Sequence, residues 1–173
     1  MEILNSLRKF DGKHTDVLEQ LAARVPRDQE SLAQLLAAAE HDDKAIQVAA
    51  TWLLKRWSDE SEPLVESCAA DLIALLRISS YWEVQLHLLQ ILSVVSLPRG
   101  SIAALKKVLP DLASDENKLV RAWTCSVFAA IGDCQPRFQK DALEVLSRAE
   151  EDEAASVRAR VRQIRKCYRW ARA

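Results

Sequence analysis

Val108-Leu109-Pro110-Asp111-Leu112-Ala113-Ser114-Asp115-Glu116-Asn117-Lys118-Leu119-Val120-Arg121-Ala122 decides the fold. An apolar stripe runs down to Leu112, a short polar stretch follows, and Val120-Arg121 opens a second apolar run. The pairing of an apolar residue with Arg or Gln recurs at Ile46-Gln47, Val84-Gln85, Val120-Arg121 and Val157-Arg158, at intervals of 38, 36 and 37 residues. A period of this length is the mark of a repeat architecture. Counted from each anchor, positions +4, +7, +8 and +11 share one helical face. They are Ala50, Leu53, Leu54 and Trp57 in one unit and Thr124, Val127, Phe128 and Ile131 in another. The last unit keeps Val161, Ile164 and Tyr168 but places Arg165 at +8.

A second amphipathic stretch precedes each anchor, marked by Leu32, Leu35 and Leu36, by Leu72, Ile73 and Leu76, by Leu105, Leu109 and Leu112, and by Leu143 and Leu146. Each unit therefore reads as a helical hairpin. Pro26, Ser61 with Pro63, Pro98-Arg99-Gly100, and Gly132-Asp133 before Pro136 punctuate the units as helix caps and first-turn prolines do. Asp42, Ser80 and Asp115 or Asp152 are the expected N-caps of the second helices. The expectation is one all-α domain over 1–173: a right-handed α-solenoid of four hairpins at 26–57, 62–97, 100–132 and 136–172. The cap at 2–25 holds a short helix with Ile3, Leu4, Leu7 and Phe10 and another with Val17, Leu18, Leu21 and Val25, after Thr15 as N-cap.

Composition agrees. Three Gly and five Pro in 173 residues are too few turn formers for a sandwich or barrel. With 49% hydrophobic and 28% charged residues, the chain has enough apolar surface to offset chain entropy, which excludes disorder. Cys68, Cys125, Cys134 and Cys167 lack CxxC spacing and read as free, mostly buried thiols. The opening Met1-Glu2-Ile3-Leu4-Asn5 has no apolar core of a secretory signal, and Leu86 to Leu97 is too short to span a bilayer. A soluble, cytoplasmic protein with no membrane partner is expected.

From Val108 to Ala122 the chain resembles the HEAT-repeat family, with a Pro in the first helix, an Asp in the turn and Val-Arg six residues later. Asp115/Arg121 and Asp152/Arg158 match the turn-Asp and helix-Arg pair, which in that family stacks into a ladder between neighbouring repeats. His41/Gln47 and Ser79/Gln85 stand at the matching places in the earlier units, where the ladder is expected to be neutral. The resemblance covers roughly residues 28 to 172 and implies a binding module rather than a particular activity.

No P-loop, GxGxxG, GxSxG or HExxH occurs, and glycine at 12, 100 and 132 alone cannot build a phosphate-cradling loop. No catalytic residue, cofactor or metal is assigned. Glu40-His41-Asp42-Asp43 is the densest ligand-like cluster, but adjacent residues at a turn point apart and an acidic N-cap explains them. His14 and His87 read as structural or surface groups.

The resemblance places the second helices on the concave face, which directs attention to positions +2, +5, +6 and +9. The partner-binding groove expected there comprises Trp52, Lys55, Leu86, Leu89, Gln90 and Cys125. The helix expected from Trp82 to Leu97 is apolar nearly all round, so it is either buried by its neighbours or covered by a partner. The last helix carries Arg158, Arg162, Arg165, Arg169 and Arg172 on one stripe, flanked by Arg160 and Lys166, and no acid follows Glu153.

The expected function is a non-catalytic scaffold or adapter that holds a protein partner, or a second copy in a homo-oligomer. The alternative is nucleic-acid binding at Arg158, Arg162, Arg165, Lys166 and Arg169. A distant form of that alternative is the HEAT-like alkylpurine DNA glycosylase, suggested by Ser80-Tyr81-Trp82-Glu83-Val84-Gln85 with Arg121, although Gln85 stands where that family has a carboxylate. A HEAT-like lyase or cofactor chaperone is a third reading, by analogy of fold. The formal charge of −1 conceals an asymmetry. Residues 1–157 hold 17 basic and 25 acidic side chains, net −8, and residues 158–173 hold seven basic and no acidic ones, net +7.

Overall fold

The computed structural model describes residues 3–172, and every regular element among them is helical. Two compact units divide the chain, residues 1–91 and 92–173.

In the first unit α1 (Ile3–Leu7) and α2 (Asp16–Ala22) precede the hairpin of α3 (Gln29–Ala39) and α4 (Lys44–Asp59). Asp28 starts α3 by accepting from the Ser31 N–H at 2.8 Å, and Asp43 starts α4 by accepting from Ala45 N–H at 2.8 Å. Helices α3 and α4 pack together, with Leu32, Leu35 and Ala38 of α3 and Ile46, Ala49, Leu53, Leu54 and Trp57 of α4 all buried. Helices α1 and α2 pack on α4 and bury Ile3, Leu7, Leu18 and Leu21. Thr15 precedes α2 without a side-chain cap. Beyond α4, Ser61 takes φ 59°, a left-handed turn, and Pro63 opens the short α5 (Pro63–Ser67). Next come α6 (Ala69–Ile78), which buries Leu72, Ile73, Leu75 and Leu76, and α7 (Trp82–Leu92).

The second unit is built on α9 (Lys118–Cys134), against which α8 (Ile102–Leu112), α10 (Gln139–Glu150) and α11 (Ala155–Cys167) all pack. A 3-10 turn at Arg169–Ala171 ends it. Trp170 of that turn lies on α9, its indole N–H donating to Asp133 Oδ1 at 3.2 Å. A Cβ on Gly132 would fall 2.7 Å from the Trp170 ring, so this close approach requires glycine.

The α-solenoid of helical hairpins expected from the repeat is the observed fold, with local corrections. Helix α7 ends at Leu92 rather than Leu97, because β-branched Val94 and Val95 and the restriction on the residue before Pro98 disfavour helix. The last helix ends at Cys167, which removes Arg169 and Arg172 from its stripe. Asp43, not Asp42, caps α4, and Asn117, not Asp115, caps α9 by accepting from Leu119 N–H at 2.9 Å.

Candidate interaction surface

The four anchors share one contact. Each donates its side-chain N–H to the backbone carbonyl six residues earlier: Gln47 to His41 at 2.6 Å, Gln85 to Ser79 at 3.0 Å, Arg121 to Asp115 at 2.9 Å and Arg158 to Asp152 at 2.5 Å. The residue supplying that carbonyl also fixes the turn at three of the four places. His41 Nδ1, Asp115 and Asp152 accept from the N–H two residues on, at 2.9, 2.7 and 2.8 Å. The Glu40–Asp43 cluster is thus engaged as a turn, and among the described residues no group of His, Cys, Asp or Glu is arranged to hold a metal.

Arg121 also reaches the next hairpin, with Nε 2.8 Å and Nη2 2.9 Å from the two carboxylate oxygens of Asp152. This is one rung of the expected ladder. Both side chains are largely buried, and the guanidinium holds the Asp152 carboxyl below the usual carboxylate range.

The expected groove needs correction. Leu89 and Cys125, both at +5, are 0% and 2% exposed and cannot meet a partner. In the second unit the reason is visible: Cys125 belongs to a cluster with Ala129, Leu146, Val161 and Ile164, so +5 points at the next hairpin. Burial pushes the Cys125 thiol up to about 12, which keeps it protonated and unreactive. At about 100° per residue, the accessible arc of α7, α9 and α11 is centred on +3, +6 and +10 instead, whereas in α4 the +3 residue, Ala49, is buried. There stand His87, Gln90 and Val94 after the second anchor, Trp123, Ser126 and Ala130 after the third, and Arg160, Gln163 and Cys167 after the fourth. Ser126 is nearly covered, while Val94 is 70% exposed.

The remaining groove residues lie in the first unit. Trp52 and Leu86 are half-buried, Gln90 is half-buried and partnered, and Lys55 pairs with Asp59 at 2.5 Å. His87 accepts from or donates to Thr51 Oγ1 at 3.1 Å, and burial with Lys55 nearby pushes its imidazole down to about 4. Ile78 and Trp82, 69% and 41% exposed, flank the α6–α7 turn. Two of the cysteines, Cys134 and Cys167, are exposed rather than buried.

The basic residues divide. Arg158 is turned to the carbonyls of Asp152 and Glu153, and Arg165 bonds Glu150 at 2.6 Å and the Ala171 carbonyl at 2.6 Å. Arg162, Lys166 and Arg169 are exposed. The residues of the glycosylase resemblance are engaged elsewhere: Glu83 pairs with Lys44 at 2.8 Å, Lys44 lies 5.4 Å from the Tyr81 ring, Gln85 closes its turn and Arg121 holds Asp152.

Two features escaped the sequence. A cleft of about 320 Å³ opens between α8 and α10, floored by Cys125 and Phe128 and bordered by the ion pairs Lys106–Asp141 and Arg121–Asp152. The other is the stack of Arg160 on Trp123, guanidinium carbon 3.7 Å from the ring centroid. The two residues are 37 apart and each stands at +3 from its anchor, so the repeat interval was the signal that would have paired them.

No family model matches the chain, and no curated protein matches it. Solved structures do. An engineered protein from a structural-genomics programme aligns with TM-score 0.64 at 18% identity, covering 95% of this chain and 78% of the other. A designed armadillo repeat protein in complex with the peptide (KR)4 aligns with TM-score 0.58 at 14% identity, covering 94% and 80%. Computationally designed armadillo repeat proteins for modular peptide recognition align with TM-score 0.58 at 12% identity, covering 95% and 81%. At these identities the likeness is one of fold, and it makes the chain a helical-repeat solenoid.

Proposed function

We propose that this chain is a non-catalytic, HEAT-type repeat scaffold that holds a segment of a protein partner on the exposed arc of its second helices. The observation that carries the reading is the division of those helices. Positions +4 and +7 are buried throughout, whereas +3, +6 and +10, apart from the buried Ala49 and Ser126, present aromatic, polar and charged groups such as Trp52, Trp123, Arg160 and Gln163. Within each unit, helices packed in this way hold their exposed groups in place for a bound segment. The turn clamps and the Arg121–Asp152 rung support the HEAT assignment, and the designed armadillo neighbours support peptide recognition as the use of the fold. Four unpaired cysteines, two of them exposed, fit a reducing, cytoplasmic setting.

Peptide selection from a random library, followed by hydrogen-exchange mapping with the selected peptide, tests this. Protection concentrated on α4, α7, α9 or α11 is the expected result. Failure to select any peptide, or protection confined to the first helices, would overturn it.

A second reading, phosphate binding along Arg162, Lys166 and Arg169, is favoured by the exposure of all three without an ion pair among the described residues. Neutralising three phosphates would make oligonucleotide affinity fall roughly 40-fold between about 50 and 200 mM salt. No binding at low salt would end that reading.

A further inference from the structure

Arg160 differs from the other half-buried basic residues of α9 and α11 in that no acid or carbonyl neutralises or engages it. Arg121 is held by Asp152, Arg158 by its turn carbonyls and Arg165 by Glu150, but Arg160 makes no hydrogen bond or ion pair among the described residues. Its one partner is the face of Trp123, and it is half-buried there. Burial without a counter-charge already disfavours its charged form. The indole compensates on one side through the ring quadrupole. Contact with the ring also restrains the side chain, so little freedom is left to lose when a planar acceptor binds the guanidinium N–H groups.

The surroundings set the sign of that acceptor. Helices α9 and α11 together carry seven Lys or Arg residues and a single acid, Asp133, which accepts from Trp170. The second unit as a whole holds 15 basic and ten acidic side chains, net +5. Along the exposed arc of α9 and α11, however, the cation is solitary. Gln163 and Cys167 follow it, joined to each other at 3.4 Å, and Ser126 and Ala130 follow Trp123.

We infer that the Trp123–Arg160 stack anchors a Glu or Asp side chain of a peptide segment lying across α9 and α11. The inference rests on the scaffold reading above and names the partner's chemistry. A carboxylate matches the two parallel N–H groups of a guanidinium edge. A solitary cation between neutral neighbours suits one acid in a polar segment, whereas a run of phosphates requires several cations in line, and Arg160 already covers one face of the indole on which a base would stack.

The experiment is fluorescence anisotropy on the full chain with a labelled octapeptide of alternating Glu and Ser. Peptides of alternating Gln and Ser and of alternating Lys and Arg, and a thymidine octanucleotide, serve as comparisons. The Glu peptide is expected to bind, and the Gln and Lys/Arg peptides to bind at least about tenfold more weakly. Arg160→Gln should weaken the Glu peptide about tenfold or more, while Arg162→Gln, which removes the same charge from outside the arc, should cost less than about threefold. Trp123→Phe should retain most binding because it keeps a ring under the guanidinium, so the test does not depend on whether Trp123→Ala folds. Equal losses for Arg160→Gln and Arg162→Gln would show diffuse attraction and overturn the inference. So would absence of binding by the Glu peptide, or tighter binding of the octanucleotide with the same dependence on Arg160. A library-selected peptide that protects α9 and α11 but ignores Arg160→Gln would defeat the anchor and leave the scaffold standing.

Discussion

Arg121 and Asp152 meet fork to fork, 2.8 and 2.9 Å apart, and join the α8–α9 hairpin to the α10–α11 hairpin. Asp152→Ala would leave a largely buried guanidinium without its counter-charge and the Ala154 N–H without its acceptor. A loss of about 2–3 kcal/mol in urea unfolding near neutral pH is expected. Because Arg121 lowers the Asp152 pKa in the folded state, that stability is complete above the ordinary carboxylate pKa and vanishes as pH falls through the lowered value. The gap between wild type and variant should therefore close in strong acid; a gap that persisted there would assign the loss to packing.

His87 titrates in a separate window. Its folded-state pKa is pushed down to about 4, with burial and Lys55 opposing protonation and Glu83 favouring it. The unfolded chain takes up the proton first, so the contribution is full above the ordinary histidine pKa and is lost as pH falls toward 4, with a slope of up to roughly 1.4 kcal/mol per pH unit. His87→Gln should flatten the stability curve between about pH 6.5 and 4. An unchanged slope in that interval would refute the assignment.

Gly132→Ala has a sign set by one ring. Alanine gains about 1 kcal/mol of helix propensity over glycine, yet its Cβ would meet Trp170 at 2.7 Å. In the wild-type background a net loss of about 1–2 kcal/mol and a red-shifted tryptophan emission are expected as the ring is displaced from Asp133. In a Trp170→Ala background the same change should stabilise. Destabilisation in both backgrounds would locate the clash elsewhere.

Ser61 ends α4 with φ 59°, where a side chain is disfavoured. Ser61→Gly should raise stability by about 0.5–1 kcal/mol and Ser61→Val should lower it by at least as much. Thermal melts of the two variants check this, and a melting point lowered by glycine would contradict it.

The repeat was legible because its marks are local. Apolar spacing reports the buried face of a helix, and Pro63 reports a start without knowledge of the rest of the chain. The orientation of each second helix within the stack was not local. Whether Cys125 faces solvent depends on Leu146 and Val161 of the next hairpin, and a short, small apolar residue carries no sign of that neighbour. Leu89 and Cys125 at +5 accordingly read as open from the sequence and are closed, whereas Arg162 at +5 of the last helix is exposed. Trp123 and Arg160 were missed for the converse reason. Each is an ordinary residue in its own helix, and they become a pair only when repeats are aligned position by position, as Asp133 and Trp170 also do.

The carbonyl contact six residues behind every anchor means that each hairpin is locked from within. Gln47 and Gln85 perform the lock without charge, while Arg121 performs it with a guanidinium edge to spare and spends that edge on its neighbour. Folding a module and joining modules are therefore separate tasks assigned to one position. A single exchange there can retune how firmly adjacent modules hold together and leave the shape of each module as it was.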